Sequence, residues 1–273
     1  MIRNCLVFAA LLLSFSGTAR AASILEPNGP WTITEAADQC RLMRNFGSKE
    51  APFVLRFARG SGIDNFDSVV AGSIIPDLNE RITVRLRLVP GNQVQEFTAI
   101  STKIPGRKEN FIRWFDGDAT ILDSVSDDQQ IEFSVEGKFV VTLHAAKAKS
   151  ALRGLTACHE RLLNSWGLDT AAQRALSKRA TPRAPPANWV TTRDYPNDAL
   201  LRSISGSAIV LLTIDAGGNV TQCKVVMTAG LKSLDAASCN TLQLRAKYHP
   251  ALDGQGKPVA SQDIQRIRWL IPT

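Results

Sequence analysis

The chain has 273 residues, of which 44% are hydrophobic and 21% are charged. This composition is ordinary for a globular protein and excludes a chain that is disordered throughout. The formal net charge of +7 is moderate, and because so small an excess is weak support for a nucleic-acid-binding protein, we expect no nucleic-acid partner.

The first residues have the pattern of a secretory signal peptide. Arg3 supplies a positive charge, residues 5–15 form an apolar run too short to span a bilayer comfortably, and residues 19–21 (Ala-Arg-Ala) supply a small-x-small cleavage signal. We therefore predict that residues 1–21 are removed and that the mature chain is exported. The alternative is an N-terminal anchor that stays attached.

Removal of the signal peptide leaves four cysteines, an even number that is typical of disulfides in an exported chain. Four cysteines allow three pairings, of which we predict Cys40–Cys158 and Cys223–Cys239, one in each half of the chain. The sequence has no C-x-x-C motif, so neither a thioredoxin-like redox centre nor a paired-cysteine zinc site is indicated.

Residues 22–176 are predicted to form a β-rich domain that ends in a helix. Apolar residues alternate with arginines and threonine in residues 81–89, the pattern of a half-buried strand with a basic solvated face. Similar patterns predict strands at residues 52–58, 96–100, 110–114 and 131–143, the last with turn residues at Glu136-Gly137, and a helix over residues 145–166. This half resembles no family that we recognise.

Residues 177–188 are rich in proline, alanine and basic residues and lack apolar periodicity. Consecutive prolines favour an extended, semi-rigid segment, so we predict a linker between two domains. Its basic residues are typical of a solvated linker, and contact with anionic lipid headgroups or the cell wall is the alternative.

Residues 189–273 are predicted to form a small α/β domain with the order helix, strand, strand, helix, strand, which makes the whole chain α+β. The predicted elements are a short helix after Pro196, a hairpin around the turn at residues 215–218, a helix over residues 231–248 and a closing strand over residues 262–272.

Two cysteines of this domain lie where a disulfide would join the hairpin to the helix. Cys223 is on the apolar side of the second strand, and Cys239 is on the helix side that packs against the sheet. A bond between them closes a loop of about 15 residues, which contributes roughly 3 kcal/mol in the chain-entropy model. The alternative is two reduced cysteines that act as small hydrophobic side chains.

A set of short motifs in this half occurs in a characteristic order. The motifs are Tyr195-Pro196, Ala199, Gly206, residues 215–220 (Asp-Ala-Gly-Gly-Asn-Val), residues 234–237 (Leu-Asp-Ala-Ala), residues 248–251 (Tyr-His-Pro-Ala), Gly254 and Pro258-Val259. In this order, over about 80 positions, they resemble the C-terminal domain of the TonB family. The resemblance covers residues from about Trp189 to Pro272.

The resemblance implies a periplasmic module that grips a short extended peptide, the TonB box of an outer-membrane transporter, or another periplasmic partner. The peptide would add as a strand beside the last strand of the module. The residues expected at that edge are Gln265, Arg266, Ile267, Arg268, Trp269 and Leu270. The alternatives are that both arginines form the solvated face of an amphipathic strand, and that a second copy of the chain pairs through the same edge.

Two features depart from a force-transmitting member of that family. The N-terminus looks cleavable, and the proline-rich stretch is only about a dozen residues, which spans roughly 40 Å when extended. A true energy transducer with a retained anchor therefore stays an alternative to a periplasmic binding module.

No recognisable catalytic set, metal site or cofactor motif is present, and His144, His159 and His249 lie far apart in sequence. We therefore expect no enzyme, no metal and no cofactor. A catalytic or ligand-binding activity in residues 22–176 is the further alternative.

Overall fold

The computed structural model describes residues 24–78, 80–91 and 93–271. The predicted signal peptide lies outside these residues. Each half of the chain has its own sheet, and we call residues 24–176 the N-terminal half and residues 189–271 the C-terminal domain. None of the helices in the described part of the chain is long and apolar enough to cross a membrane.

The N-terminal half is built around one sheet of ten strands. The strands are β1 (Ile24–Leu25), β2 (Thr32–Ala36), β3 (Gln39–Gly47), β4 (Pro52–Arg59), β5 (Asn65–Gly72), β6 (Arg81–Val89), β7 (Val94–Lys103), β8 (Asn110–Asp118), β9 (Asp128–Val135) and β10 (Phe139–Ala146). Their order in the sheet is β1-β10-β9-β6-β7-β8-β5-β4-β3-β2. All neighbours are antiparallel except β1 and β10, which are parallel.

This sheet curls until strands near its two ends face each other. The Trp31 indole and the Arg44 guanidinium both donate hydrogen bonds to the carbonyl of Ala146, the last residue of β10. Pro27, just after β1, forms a bridge with Phe46 of β3. The chain after β1 therefore connects β10 to β3 across the gap between the ends of the sheet.

Alternating residues of the curled sheet point inward and form a core rich in aromatic rings. Phe57, Phe66, Phe97, Trp114 and Phe133 make successive ring contacts with centroids 5.3–6.0 Å apart. All five side chains are buried. Contacts of this geometry add to the stabilisation that comes from removing apolar area from water.

Three helices follow strands of this sheet, and the longest one packs against it. They are α1 (Thr120–Asp123), α2 (Ala148–Ser165) and α3 (Thr170–Ala175). Helix α2 buries Leu152, Leu155, Leu162 and Leu163. The disulfide Cys40–Cys158 joins α2 to β3, as predicted.

The N-terminal half contains four strands that the sequence pattern did not predict, β1, β2, β3 and β5. In β3 the inward positions are Cys40, Leu42, Arg44 and Phe46. Arg44 breaks the apolar alternation. Its half-buried guanidinium lies over the rings of Trp31 and Phe46 and donates hydrogen bonds to two backbone carbonyls. The predicted strands at residues 52–58, 81–89, 96–100 and 110–114 are present, and residues 131–143 form most of the hairpin β9–β10.

The C-terminal domain has the predicted element order. Its main elements are α4 (Asn197–Leu201), β12 (Gly206–Ile214), β13 (Val220–Met227), α5 (Lys232–Arg245) and β17 (Ser261–Trp269). Short strands β14 (Tyr248–His249), β15 (Ala251–Leu252) and β16 (Pro258–Val259) form the connection from α5 to β17, and β11 (Thr181–Pro182) precedes the domain. The three long strands form a sheet in the order β13-β12-β17.

One face of this sheet is covered by α5. Val210, Leu212 and Ile214 of β12 pack with Leu234 and Leu242 of the helix. The disulfide Cys223–Cys239 joins β13 to α5, which confirms the second predicted pairing. The domain core is therefore closed on this side by both apolar packing and a covalent bond.

Residues 177–182 are largely extended and bond to residues on either side, and Pro186–Asn188 form a short 3-10 helix. Strand β11 pairs with β14, and Lys178 forms a bridge with Leu252. The Arg179 guanidinium donates to the carboxylate of Asp64 in the N-terminal half. The segment therefore adds to the edge of the C-terminal domain along residues 247–252 while contacting the other half.

Candidate partner-binding edge

The three-stranded sheet of the C-terminal domain has two edge strands, β13 and β17, and they differ in regularity. The pairing of β13 with β12 has register shifts after Ile209 and after Thr213. Bulges of this kind twist an edge and disfavour the addition of another strand. The disulfide to α5 also fixes β13 at Cys223.

Strand β17 is regular along its whole length. It pairs with β12 in nine consecutive antiparallel pairs, from Gly206↔Trp269 to Ile214↔Ser261, without a register shift. Among the described residues no other strand is paired with β17. An edge strand of this kind presents a row of unpaired N–H and C=O groups.

The side chains on one face of β17 belong to the core of the C-terminal domain. Ile267 and Trp269 are 8% and 2% exposed. The Trp269 indole donates to the Ser238 hydroxyl of α5 at 2.9 Å, and its ring meets that of Tyr195 edge to face. These two side chains fix the strand in place and are not free for a partner.

The other face of β17 packs against the N-terminal half. Ile264 is buried in the core cluster of that half together with Ile209 and Leu211 of β12. The Arg266 guanidinium bonds the Asp38 carboxylate at 3.3 Å and the Ser61 hydroxyl at 3.2 Å. This face of the strand is therefore an interface within the chain.

Arg268 occupies the last position of this face before the strand ends. Its guanidinium lies 5.0 Å from the centroid of the Phe115 ring of β8. Arg113 of β8 lies against the same ring at 4.2 Å. One aromatic ring thus contacts a cation from each half of the chain.

The direction of the backbone groups in β17 follows from a hydrogen bond made by Asp263. Its carboxylate accepts the backbone N–H of Ile264 at 2.9 Å. An N–H bonded in this way is turned away from β12. Along an antiparallel strand, successive residues direct their backbone N–H and C=O groups to opposite edges of the strand. The groups of Gln262, Arg266 and Arg268 therefore face the free edge, as those of Ile264 do.

The Asp263 carboxylate is itself part of a small polar network beneath this edge. It accepts hydrogen bonds from the Tyr248 hydroxyl at 2.8 Å and from the Gln265 amide at 2.6 Å. Burial raises the pKa of the Asp263 carboxyl. Burial and the neighbouring carboxylate together raise the pKa of Tyr248, so the hydroxyl stays protonated and keeps donating to Asp263.

The structure brings the six residues predicted at this edge together on one strand and its end, but it gives them different surroundings. Gln265 bonds Asp263, Ile267 and Trp269 are buried, and Leu270 is 72% exposed just after the strand. The contacts of Arg266 and Arg268 with the N-terminal half were not predicted. No sequence signal pairs Asp38 or Phe115 with a strand more than 150 positions away, whereas Asp263 stood within the predicted strand and was not singled out.

A small α/β domain with a helix on one face and a regular open strand at its edge is of the class that can pair with an extended peptide by strand addition. Residues 191–271 match the family model of the Gram-negative bacterial TonB protein C-terminal. These residues therefore correspond to a TonB C-terminal domain, and the domains of that family are protein-interaction domains of the Gram-negative cell envelope. The comparison with curated proteins found no match.

Proposed function

We propose that this chain is an exported protein of the Gram-negative cell envelope that binds an extended segment of a partner by strand addition to β17. The partner is an outer-membrane TonB-dependent transporter, whose TonB box supplies the segment. The N-terminal half packs against the face of the C-terminal sheet that α5 does not cover.

The observation that carries this proposal is the regular free edge of β17 within a domain that matches the TonB C-terminal model. The strand is held on both faces, by α5 on one side and by the N-terminal half on the other. A strand fixed in this way is preorganised, so little further ordering is needed when a second backbone pairs with it.

Four residues of β17 offer backbone groups to the incoming segment. They are Gln262, Ile264, Arg266 and Arg268. The N–H of Ile264 already bonds the Asp263 carboxylate, so pairing at that position requires the partner to displace this carboxylate. Main-chain hydrogen bonds supply affinity in this mode of recognition, and side chains that alternate along the edge supply selectivity.

The direct test is a titration of the isotope-labelled mature chain with a synthetic TonB-box peptide, followed by amide chemical shifts. We expect the shifts to be largest at residues 262–270 of β17. Shifts that concentrate instead on β13, or none at residues 264–271 at millimolar peptide, would contradict the proposal.

A pair of variants separates backbone pairing from side-chain contact. Arg268→Pro removes an N–H that faces the free edge and leaves the pairing with β12 intact, since edge strands tolerate proline where the N–H faces outward. Arg268→Ala keeps that N–H and removes the side chain. We expect the proline variant to bind the peptide roughly tenfold more weakly than the alanine variant, because one hydrogen bond is lost.

A second copy of the chain is the competing occupant of this edge. Sedimentation of the mature chain over a hundredfold range of concentration measures it. A dimer that dissociates when TonB-box peptide is added would show that both occupants use the same strand, and a stable dimer that excludes the peptide would contradict the proposal.

A further inference from the structure

A row of arginine and apolar side chains crosses the outer face of the curled sheet in the N-terminal half. Each member is the direct cross-strand neighbour of the next, on strands β3, β4, β5, β8, β7 and β6. The row is Met43, Arg56, Val69, Arg113, Ile100 and Arg81, and we call it the arginine stripe. Its residues alternate between an apolar side chain and an arginine along the whole row.

The arginines of the stripe have no acidic partner within salt-bridge distance in the part of the chain that the structure describes. Other arginines of the same sheet do: Arg85 pairs with Glu96 and Arg87 with Glu132, at 2.9 and 2.7 Å. The stripe is therefore a line of positive charge whose arginines form no ion pair among the described residues.

Arg56 and Arg113 are also partly buried. The Nε atom of each is shielded from water and makes no hydrogen bond among the described residues. Burial, and then the neighbouring charges of Arg113 and Arg41, lower the pKa of Arg56, while burial lowers that of Arg113. A desolvated guanidinium without a counter-ion gains more from an anionic ligand than a fully hydrated one does.

The spacing and composition of the stripe indicate which anion it suits. Successive arginines lie two strands apart, which is about 10 Å. Side chains on one face of an extended peptide recur every second residue, at about 7 and 13 Å, and these two distances bracket that spacing. Met43 and Ile100, 41% and 50% exposed, stand between the charges and offer apolar contact.

The stripe continues to the edge strand of the C-terminal domain. Arg113 is a member of the stripe, and its guanidinium shares the Phe115 ring with Arg268 of β17. Asp67 is the acid whose carboxyl lies near both arginines and near Arg56, and burial raises the pKa of this carboxyl.

We infer that the arginine stripe binds acidic side chains of the same partner whose extended segment pairs with β17. The inference rests on the proposed function and adds the chemistry of the partner, an acidic extension next to the strand-forming segment. Carboxylates fit the planar donor groups of arginine in a paired geometry. Arg56 and Arg113 are partly buried, and such side chains favour a peptide that lies on the sheet over a membrane surface, which is bound by protruding side chains.

Two peptide probes and two double variants test the inference on the mature full-length chain. The acidic probe is a TonB-box peptide with a four-residue aspartate extension, and the neutral probe has asparagine in place of each aspartate. The test variant is Arg56→Gln with Arg113→Gln. The matched control is Arg85→Gln with Arg87→Gln, which removes the same charge from the same sheet.

We expect the test variant to bind the acidic probe at least about tenfold more weakly than the unaltered chain and to show a smaller salt dependence. The control variant should change this affinity by less than about threefold, and the neutral probe should bind all three proteins alike. If the test variant loses cooperative unfolding, Arg56→Lys with Arg113→Lys replaces it. That variant keeps the charge but loses the planar fork, so its affinity for the acidic probe should fall below that of the unaltered chain and that of the control variant.

Three results would overturn the inference: an equal loss in the control, an equal affinity of the unaltered chain for both probes, and stripe-dependent binding of phosphatidylglycerol vesicles without an effect on the acidic probe. The proposed function fails separately, when the neutral probe leaves the β17 amides of the unaltered chain unmoved. The difference between test and control variants with the acidic probe does not depend on that result.

Discussion

Arg266 and Asp38, 228 positions apart in sequence, form a salt bridge of 3.3 Å between the edge strand of the C-terminal domain and the N-terminal half. The Arg266 and Asp38 side chains are 22% and 29% exposed. The contact therefore lies largely out of water and fixes β17 against the N-terminal half on the face that α5 does not cover.

The first prediction concerns the stability that this pair contributes. Arg266→Ala should lower the free energy of unfolding by about 1–3 kcal/mol, because Asp38 and Ser61 lose a partly buried partner. Arg85→Ala is the control: Arg85 and Glu96 are more than half exposed, so its loss should cost about 0.5 kcal/mol or less. Urea denaturation measures both, and equal effects would show that the Arg266 contact is a surface contact in solution.

The second prediction concerns the two disulfides. Replacing Cys223 and Cys239 with serine should cost about 3 kcal/mol, and replacing Cys40 and Cys158 about 4–5 kcal/mol, because the second bond closes a much longer loop. Denaturation with and without reductant provides the measurement. The unaltered chain should lose stability when reductant is added, and each double serine variant should lose less. An unaltered chain whose stability does not respond to reductant would contradict the prediction.

The third prediction concerns His144, whose two ring nitrogens contact the carboxylates of Glu26 and Asp128 at 2.7 and 2.6 Å. Hydrogen bonds to these carboxylates raise the pKa of His144 above its usual 6.5. The stabilisation is therefore fully present below pH 6.5 and is lost as the pH rises through the raised value. The stability difference between the natural chain and His144→Asn should be largest near pH 5.5 and shrink towards pH 9. A difference that does not change with pH would contradict this account.

The fourth prediction has the opposite sign and concerns His159 of α2. Burial, and then the charge of Arg59, lower the pKa of this imidazole to about 4, and its Nε2 lies 2.8 Å from the Gly60 carbonyl. Because the unfolded chain takes up a proton near pH 6.5 and the folded chain does not, stability falls as the pH drops from 6.5 to 4, by roughly 3 kcal/mol in all. His159→Asn should remove this acid sensitivity. Urea midpoints at pH 4.5 and 7.5 test it, and an equal loss in both proteins would assign the effect to other groups.

The fifth prediction concerns Gly218 in the turn between β12 and β13. Its φ is +85°, and a Cβ at this position would lie 1.9 Å from the Tyr248 carbonyl oxygen. Gly218→Ala should therefore cost at least about 2 kcal/mol. Gly254→Ala is the matched control, because a Cβ there meets nothing within 4 Å, and its effect should stay within about 0.5 kcal/mol. Thermal unfolding of the two variants gives the comparison.

Local sequence patterns were sufficient for the C-terminal domain because its signals lie close together in the chain. Alternation in β12 and β13, the glycines of the turn between them and the helical spacing of Leu234 and Leu242 each act within about a dozen residues. The Cys223–Cys239 bond follows from the same local layout, since it joins an inward position of a strand to the helix that covers that strand. The N-terminal sheet was harder to predict, because in β3 a half-buried arginine at an inward position replaces an apolar residue and conceals the alternation.

The sequence by itself determined which side chains of β17 share a face, because alternation along a strand is a property of the backbone. Only the tertiary structure decided that the face with Ile264, Arg266 and Arg268 packs against the N-terminal half, since alternation does not specify what covers a face. The arginine stripe is the same kind of result. Its members come from six strands, and they form a row because the register of five strand pairs places them side by side.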